Sequence, residues 1–252
     1  MMHSFAQTNL QLLHQLQQEP YTAGDRQLVA HGYDLAVSLF AGRFRPAGKT
    51  FIAHLVGTAS ILLTIGASVE VSVAGLLHAA YSEGDFWDGQ WRPITTKRQQ
   101  RVRHAVGDSV EHYIARYTQL DWGREAIATL STQVDTLSAL DRDVLLIRLA
   151  NELEEYLDYG ILYDGAHLRQ DYAAAAPYIA PLATALGYPR LAQECDRIMQ
   201  LVGKSGHILA EAHTEAVLMV EGQGEPAKLP WQTAKQLSYA LRYLITRAFA
   251  VY

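Results

Sequence analysis

Phe51-Ile-Ala-His54-Leu-Val-Gly-Thr-Ala-Ser-Ile-Leu62 and Val73-Ala-Gly-Leu-Leu-His78-Ala-Ala-Tyr81 are the stretches on which the fold turns. Segment 51–65 reads as a helix buried on all sides, because its apolar residues leave no polar face. Segment 69–82 reads as a second buried helix, and Gly66 between them is a helix-ending signal. Each helix carries one histidine. On an apolar helix such a residue is often a satisfied core side chain.

Working outward, 3.6-residue periodicity dominates. Segment 5–18 has a stripe of Leu10, Leu12, Leu13 and Leu16, broken by Pro20 and Gly24. Segment 25–41 follows, with Leu28, Val29, Tyr33, Val37 and Phe40 at helical spacing, and 42–49 is a loop. The loop over 83–94 is rich in Gly, Asp and Trp. Further helices are expected over 95–117, 123–137, 141–159, 168–187, 189–202 and 231–250, with 203–230 indistinct. No strand pattern emerges. The fold class is therefore all-α, with about eight to eleven helices.

The 252 residues are 49% hydrophobic, enough for a sizeable core without a disulfide. Net charge is −5 and pI about 6.0, which gives no basis for nucleic-acid binding. The basic cluster Lys97, Arg98, Arg101 and Arg103 reads as a solvated helix face. Cys195 is the only cysteine and reads as a packed thiol, in keeping with a reducing cytosol. No signal peptide or membrane-length apolar run is apparent, so the expectation is a cytoplasmic protein without a membrane partner.

Three stretches carry a family resemblance. Gly48-Lys-Thr-Phe-Ile-Ala-His54 is similar to a Gly-x-x-[Tyr/Phe]-[Ile/Phe]-x-His opening. Ala74-Gly-Leu-Leu-His78-Ala79 is similar to Ala-x-Leu-Leu-His-Asp. Val144-Leu-Leu-Ile-Arg-Leu-Ala-Asn151-Glu-Leu resembles Val-x-Ile-Lys-Leu-Ala-Asp-Arg-Leu. In order and spacing they resemble the HD superfamily, specifically the hydrolase domain of stringent-response alarmone (ppGpp) enzymes. The resemblance covers roughly residues 25–160. It implies a multi-helix HD-domain fold with additional C-terminal helices. The expected division is an N-terminal helix and turn over 1–24, an HD-like domain over 25–165, and a helical extension over 166–252.

In such a site, His, His-Asp and a distant Asp gather a divalent metal that activates water. Here His54 and His78 fall on the two histidine positions, Ala79 replaces the adjoining aspartate, and Asn151 replaces the distant one. The family's Glu-Asp pair falls on Ser82 and Glu83. Both carboxylate ligands are missing, so alarmone hydrolysis does not carry over intact. The cofactor expectation is a divalent metal (Mn or Fe) held by His54 and His78, or none.

Asp85 and Glu155 are the carboxylates expected to stand in as catalytic groups beside His54 and His78. Arg43, Arg45 and Lys49 are placed to clamp an anionic group. Tyr81, Ser82, Trp87 and Asn151 complete the candidate ligand-binding residues, and Trp87 with Trp91 suits either a lid or a loop anchor. Glu152, Glu154, Glu155, Tyr156 and Asp158 form an acidic stretch, part of which reads as an outer helix face. His104, Asp108 and His112 read as solvated.

Two functions fit. One is a small-molecule enzyme acting on a phosphorylated, nucleotide-like or specialised metabolite by His-assisted hydrolysis, lyase or cyclisation chemistry. The other is a non-catalytic HD-fold descendant binding a nucleotide, metabolite or protein. The expected partner is a small-molecule ligand. A homodimer through the terminal helices is a further expectation, as is a plain interaction scaffold.

Overall fold

A computed structural model describes residues 5–17, 20–45, 48–89, 94–157 and 166–202. The expected helix 231–250, Trp91 and Asp158 lie outside the described residues.

Among the described residues all regular structure is helical, apart from one isolated bridge between Phe44 and Thr50 that pins the loop before His54. The order is α1 (Asn9–Gln15), α2 (Ala23–Phe40), α3 (Phe51–Thr64), α4 (Val69–Leu76), α5 (Ala80–Glu83), α6 (Thr96–Thr118), α7 (Arg124–Gln133), α8 (Ala139–Leu157) and α9 (Ala166–Ala185). Residues 189–202 form a further helix, α10. No helix of the described residues is long and apolar enough to cross a membrane.

Side-chain caps set most helix starts. Thr8 and Thr22 make capping boxes with Gln11 and Asp25. Thr50, Ser68 and Thr95 cap α3, α4 and α6. Ser138 Oγ accepts from the Asp141 amide at 3.1 Å, so α8 starts slightly before the expected Asp141.

α3 is the central rod. It packs against α4 and α8, while α4 also meets α2 and α6. Leu55, Ile61, Leu62, Leu76 and Leu77 are fully buried between these helices. Each such side chain contributes about 1.5–3 kcal/mol relative to exposure. α4 approaches α3 closely because Gly75 has no side chain: a Cβ there would lie 2.3 Å from Leu62 Cδ1.

The expected helix over 69–82 is broken, and the break positions the site. α4 ends at Leu76 and α5 begins at Ala80, so His78 lies between them. Its ring nitrogen Nδ1 meets the Gly75 carbonyl at 2.7 Å, using an acceptor that a continuous helix would give to its own backbone. α6 is kinked at Gly107, whose φ of 84° and ψ of 169° lie outside the helical region.

Candidate functional site

The cluster begins with His54, fully buried on α3. Its Nδ1 contacts Oε2 of Glu154 on α8, and the other oxygen of Glu154 contacts Lys49 Nζ from the loop before α3. A carboxylate only accepts, so Nδ1 carries the proton and Nε2 keeps the lone pair of the neutral ring. Glu155 sits 3.8 Å from the same Nδ1 and pairs with Arg45. Arg43 Nη2 reaches the Glu83 carboxylate at 3.6 Å, and its Nη1 contacts the Glu83 carbonyl.

Glu154 fits against α3 because position 57 is glycine. A Cβ there would lie 2.7 Å from Glu154 Oε1 and 2.8 Å from its Cγ. Gly57 is three residues beyond His54 and therefore on nearly the same helix face.

His78 stands against His54, with ring centroids 5.3 Å apart and nearly perpendicular planes. Burial, then the neighbouring His54, hold its imidazole well below the ordinary histidine value, with smaller pushes from Arg45 and Arg148. It is neutral at pH 7, with Nδ1–H donating to Gly75 and a lone pair on Nε2.

Beyond His78 the cluster continues to Tyr117, with ring centroids 5.1 Å apart. Arg148 Nη1 donates to the Tyr117 hydroxyl at 3.2 Å, and its Nη2 pairs with Glu152. The Arg148 guanidinium lies 5.1 Å over the Trp122 ring. Burial raises the Tyr117 pKa, so its hydroxyl stays protonated. Asn151 is 5% exposed on the same helix, and neither its Oδ1 nor Glu152 Oε2 meets a donor among the described residues.

The donors here do not fit the divalent metal that the resemblance implies. No three histidine, cysteine, aspartate or glutamate side chains among the described residues converge as ligands. Glu154 is held by Lys49 and His54, and Glu155 by Arg45. The cations that would have to leave are built into the chain. Asn151 offers only an uncharged oxygen.

The remaining sequence candidates fall elsewhere. Tyr81 is buried, and its hydroxyl donates to Glu111 at 2.9 Å in a separate cluster. Ser82 Oγ turns back to the Ala79 carbonyl at 3.3 Å. Asp85 Oδ1 accepts from the Trp87 amide at 2.9 Å, a local turn rather than a contact with the histidines. Trp87 has φ 58°, is exposed, and donates from Nε1 to the Ser38 carbonyl at 3.3 Å. That bond ties the loop to the end of α2.

Two expectations need correction. Glu152, Glu154 and Glu155 are buried, not an outer face, because α8 is covered by α3, α4, α6 and α9. Arg98 is not solvated: it pairs with Asp88 through Nε at 2.7 Å and lies 4.8 Å over the Phe86 ring. Arg43, Arg45 and Lys49, expected to clamp an anion, each meet a protein carboxylate. His104, Asp108 and His112 are exposed, and the Gly107 kink interrupts their helical spacing. Sequence reasoning missed Glu154 as the partner of His54, and missed Tyr117 and Arg148. The available signal was Gly57, one turn past a buried histidine in α3.

Comparisons with known proteins agree with this architecture. Residues 36–122 match the model of a domain of unknown function, DUF6817, which spans both histidines. No curated protein matches the chain by sequence. The fold is similar to a solved structure of a metazoan ortholog of SpoT that hydrolyzes ppGpp and plays a role in starvation responses. Identity is 17%, the match covers 73% of this chain and 98% of that one, and the TM-score is 0.50. At that identity the likeness shows the fold: an all-α, HD-like arrangement with extra C-terminal helices.

Proposed function

We propose that this chain is an HD-fold small-molecule enzyme that works through histidine acid–base chemistry without a metal. The observation that carries the reading is the contact between His54 Nδ1 and the buried Glu154 carboxylate. A carboxylate behind an imidazole fixes its tautomer and stabilises the imidazolium that forms when Nε2 accepts a proton. His54 is the general base in this reading, and Glu154 its positioning residue. Neutral His78 orients the substrate through its Nε2 lone pair. Proton abstraction of this kind suits a lyase, cyclisation or hydrolysis step.

The non-catalytic alternative draws on one feature. The ion pairs Lys49–Glu154 and Arg45–Glu155 make the cluster stable as it stands. Binding without chemistry would need nothing more.

The test combines elemental analysis of untagged protein with activity after chelation, beside His54→Ala, His78→Ala and Glu154→Gln. The expected result is turnover that survives chelation, is lost in His54→Ala, and falls on the order of 100-fold in Glu154→Gln. Near-stoichiometric Mn or Fe that disappears in both histidine variants would overturn the metal-free reading. A fully folded protein that binds ligand identically with and without His54 would favour the alternative.

A further inference from the structure

A reaction begun by a base also needs a proton for the group that leaves. His54 is the base of the proposed site. His78 is not poised to be the donor: its Nδ1–H is held by the Gly75 carbonyl at 2.7 Å, and its Nε2 carries a lone pair. Tyr117, near the C-terminal end of α6, borders the same imidazole, with ring centroids 5.1 Å apart. His54 borders it at 5.3 Å.

The Tyr117 hydroxyl is arranged as a donor. Its oxygen accepts from Arg148 Nη1 at 3.2 Å, and its own hydrogen meets no acceptor among the described residues. The guanidinium is held from two further directions. Its Nη2 pairs with Glu152, one turn along α8 and 0% exposed, and it lies 5.1 Å over the Trp122 ring. A phenol whose oxygen accepts from a cation gives up its proton more readily, because the charge stabilises the phenolate. Burial keeps the proton in place at neutral pH, and Arg148 works against that rise. Tyr117 is half-buried, whereas His78 and His54 are 5% and 0% exposed, so a spent proton can be replaced from water. α8 thus backs both groups: Glu154 stands behind His54, and the Arg148–Glu152 pair behind Tyr117.

We propose that Tyr117 is the general acid of this site, and that the substrate is a small carbon acid with an oxygen leaving group. The proposal rests on the acid–base reading of His54. In the step, His54 Nε2 takes a proton from carbon. The C–H electron pair forms the new π bond, the bond to the leaving oxygen breaks with its pair on oxygen, and the Tyr117 proton passes to that oxygen. Arg148 pairs with the phenolate until water returns a proton to it, and the His54 imidazolium gives its proton back to water.

Elimination from benzisoxazoles by the full chain tests the assignment. In 1,2-benzisoxazole and 5-nitro-1,2-benzisoxazole, loss of a carbon-bound proton breaks the N–O bond and leaves a phenolic oxygen. The nitro group stabilises that phenolate, so its departure needs no proton; the parent compound lacks this help. Wild type, His54→Ala, Tyr117→Phe and Arg148→Gln are compared, with melting followed for each. The expected result is turnover of both probes that depends on His54. Tyr117→Phe then lowers kcat/KM for the parent compound about 100-fold, the scale of one general acid, and leaves the nitro compound nearly unchanged. Arg148→Gln gives the same split at smaller size with the phenol still in place, which keeps the test open if Tyr117→Phe does not fold. Equal loss on both probes, or no loss on the parent compound, would overturn the proposal and leave His54 as the base. Turnover that survives His54→Ala, or no turnover at all, would remove the acid–base reading and the proposal with it.

Discussion

Two glutamates on packed helices, Glu111 on α6 and Glu154 on α8, are both 1% exposed, and their surroundings differ in kind. Glu111 accepts from the Tyr81 hydroxyl at 2.9 Å, Gln99 at 3.1 Å and Arg103 Nε at 2.9 Å. Gln99 and Arg103 precede the Gly107 kink and Glu111 follows it, so the carboxylate stitches the two halves of α6. Glu154 meets an ammonium and the ring of His54, beside two acceptors left over on α8. A buried carboxylate that joins two halves of one helix is a strut. One that backs a buried imidazole near unmet acceptors has the form of a working group.

Removing the strut should have the largest effect on folding. Glu111→Ala leaves the Tyr81 hydroxyl buried without its acceptor, and Gln99 loses its partner. A loss of about 2–4 kcal/mol is expected in urea unfolding. A change under 1 kcal/mol would remove the structural role.

Gly57→Ala attacks the other glutamate through its neighbour. The added methyl meets Glu154 and Gln7 Nε2, each within 2.8 Å, so overpacking of about 1–3 kcal/mol is expected. Glu154 must also withdraw from His54. If the comparison holds, activity falls further in this variant than melting does.

The third test uses pH. Burial lowers the folded-state pKa of His78, so near and below the unfolded value of 6.5 the unfolded chain binds a proton that the folded chain refuses. Stability is then fully present above that value and is lost as pH falls toward the folded-state pKa. The slope from this one group is about 1.4 kcal/mol per pH unit. Comparing His78→Gln with wild type in chemical denaturation between about pH 7 and pH 5 isolates it. An unchanged slope would mean that His78 is not the buried neutral group.

The smallest effect has the opposite sign. Asn151→Leu removes a buried acceptor that has no donor among the described residues, and should raise stability by about 0.5–1.5 kcal/mol. A position that gains stability when its polar group is removed separates itself from a strut. Destabilisation would place Asn151 with Glu111.

Much of the helical frame was legible in the sequence, for local reasons. Thr8, Thr22, Thr50, Ser68 and Thr95 are capping residues, and the apolar spacing of 51–64 marks a buried rod. The break at His78 was not legible, because it depends on a ring nitrogen competing for the Gly75 carbonyl. Glu154 was obscured for a similar reason. An acidic run near the end of a helix looks solvated until the helices that cover it are known. The pairing of Arg45 and Lys49 was equally hidden: loop cations look ready for a ligand, and only tertiary structure brings Glu155 and Glu154 to them. Asp85 was placed near the histidines by proximity in sequence, but its side chain is spent on the turn that holds Trp87.

Cys195 on α10 has a consequence for experiment. It is the only thiol in 252 residues, it is fully buried, and burial pushes its pKa up, with Glu152 of α8 the next contributor. Thiol reagents need an exposed thiolate, so labelling of the native chain must wait for this layer to open. The alkylation rate is therefore a clock for motion behind α8. A ligand that engages Glu152 would slow that clock without touching the sulfur.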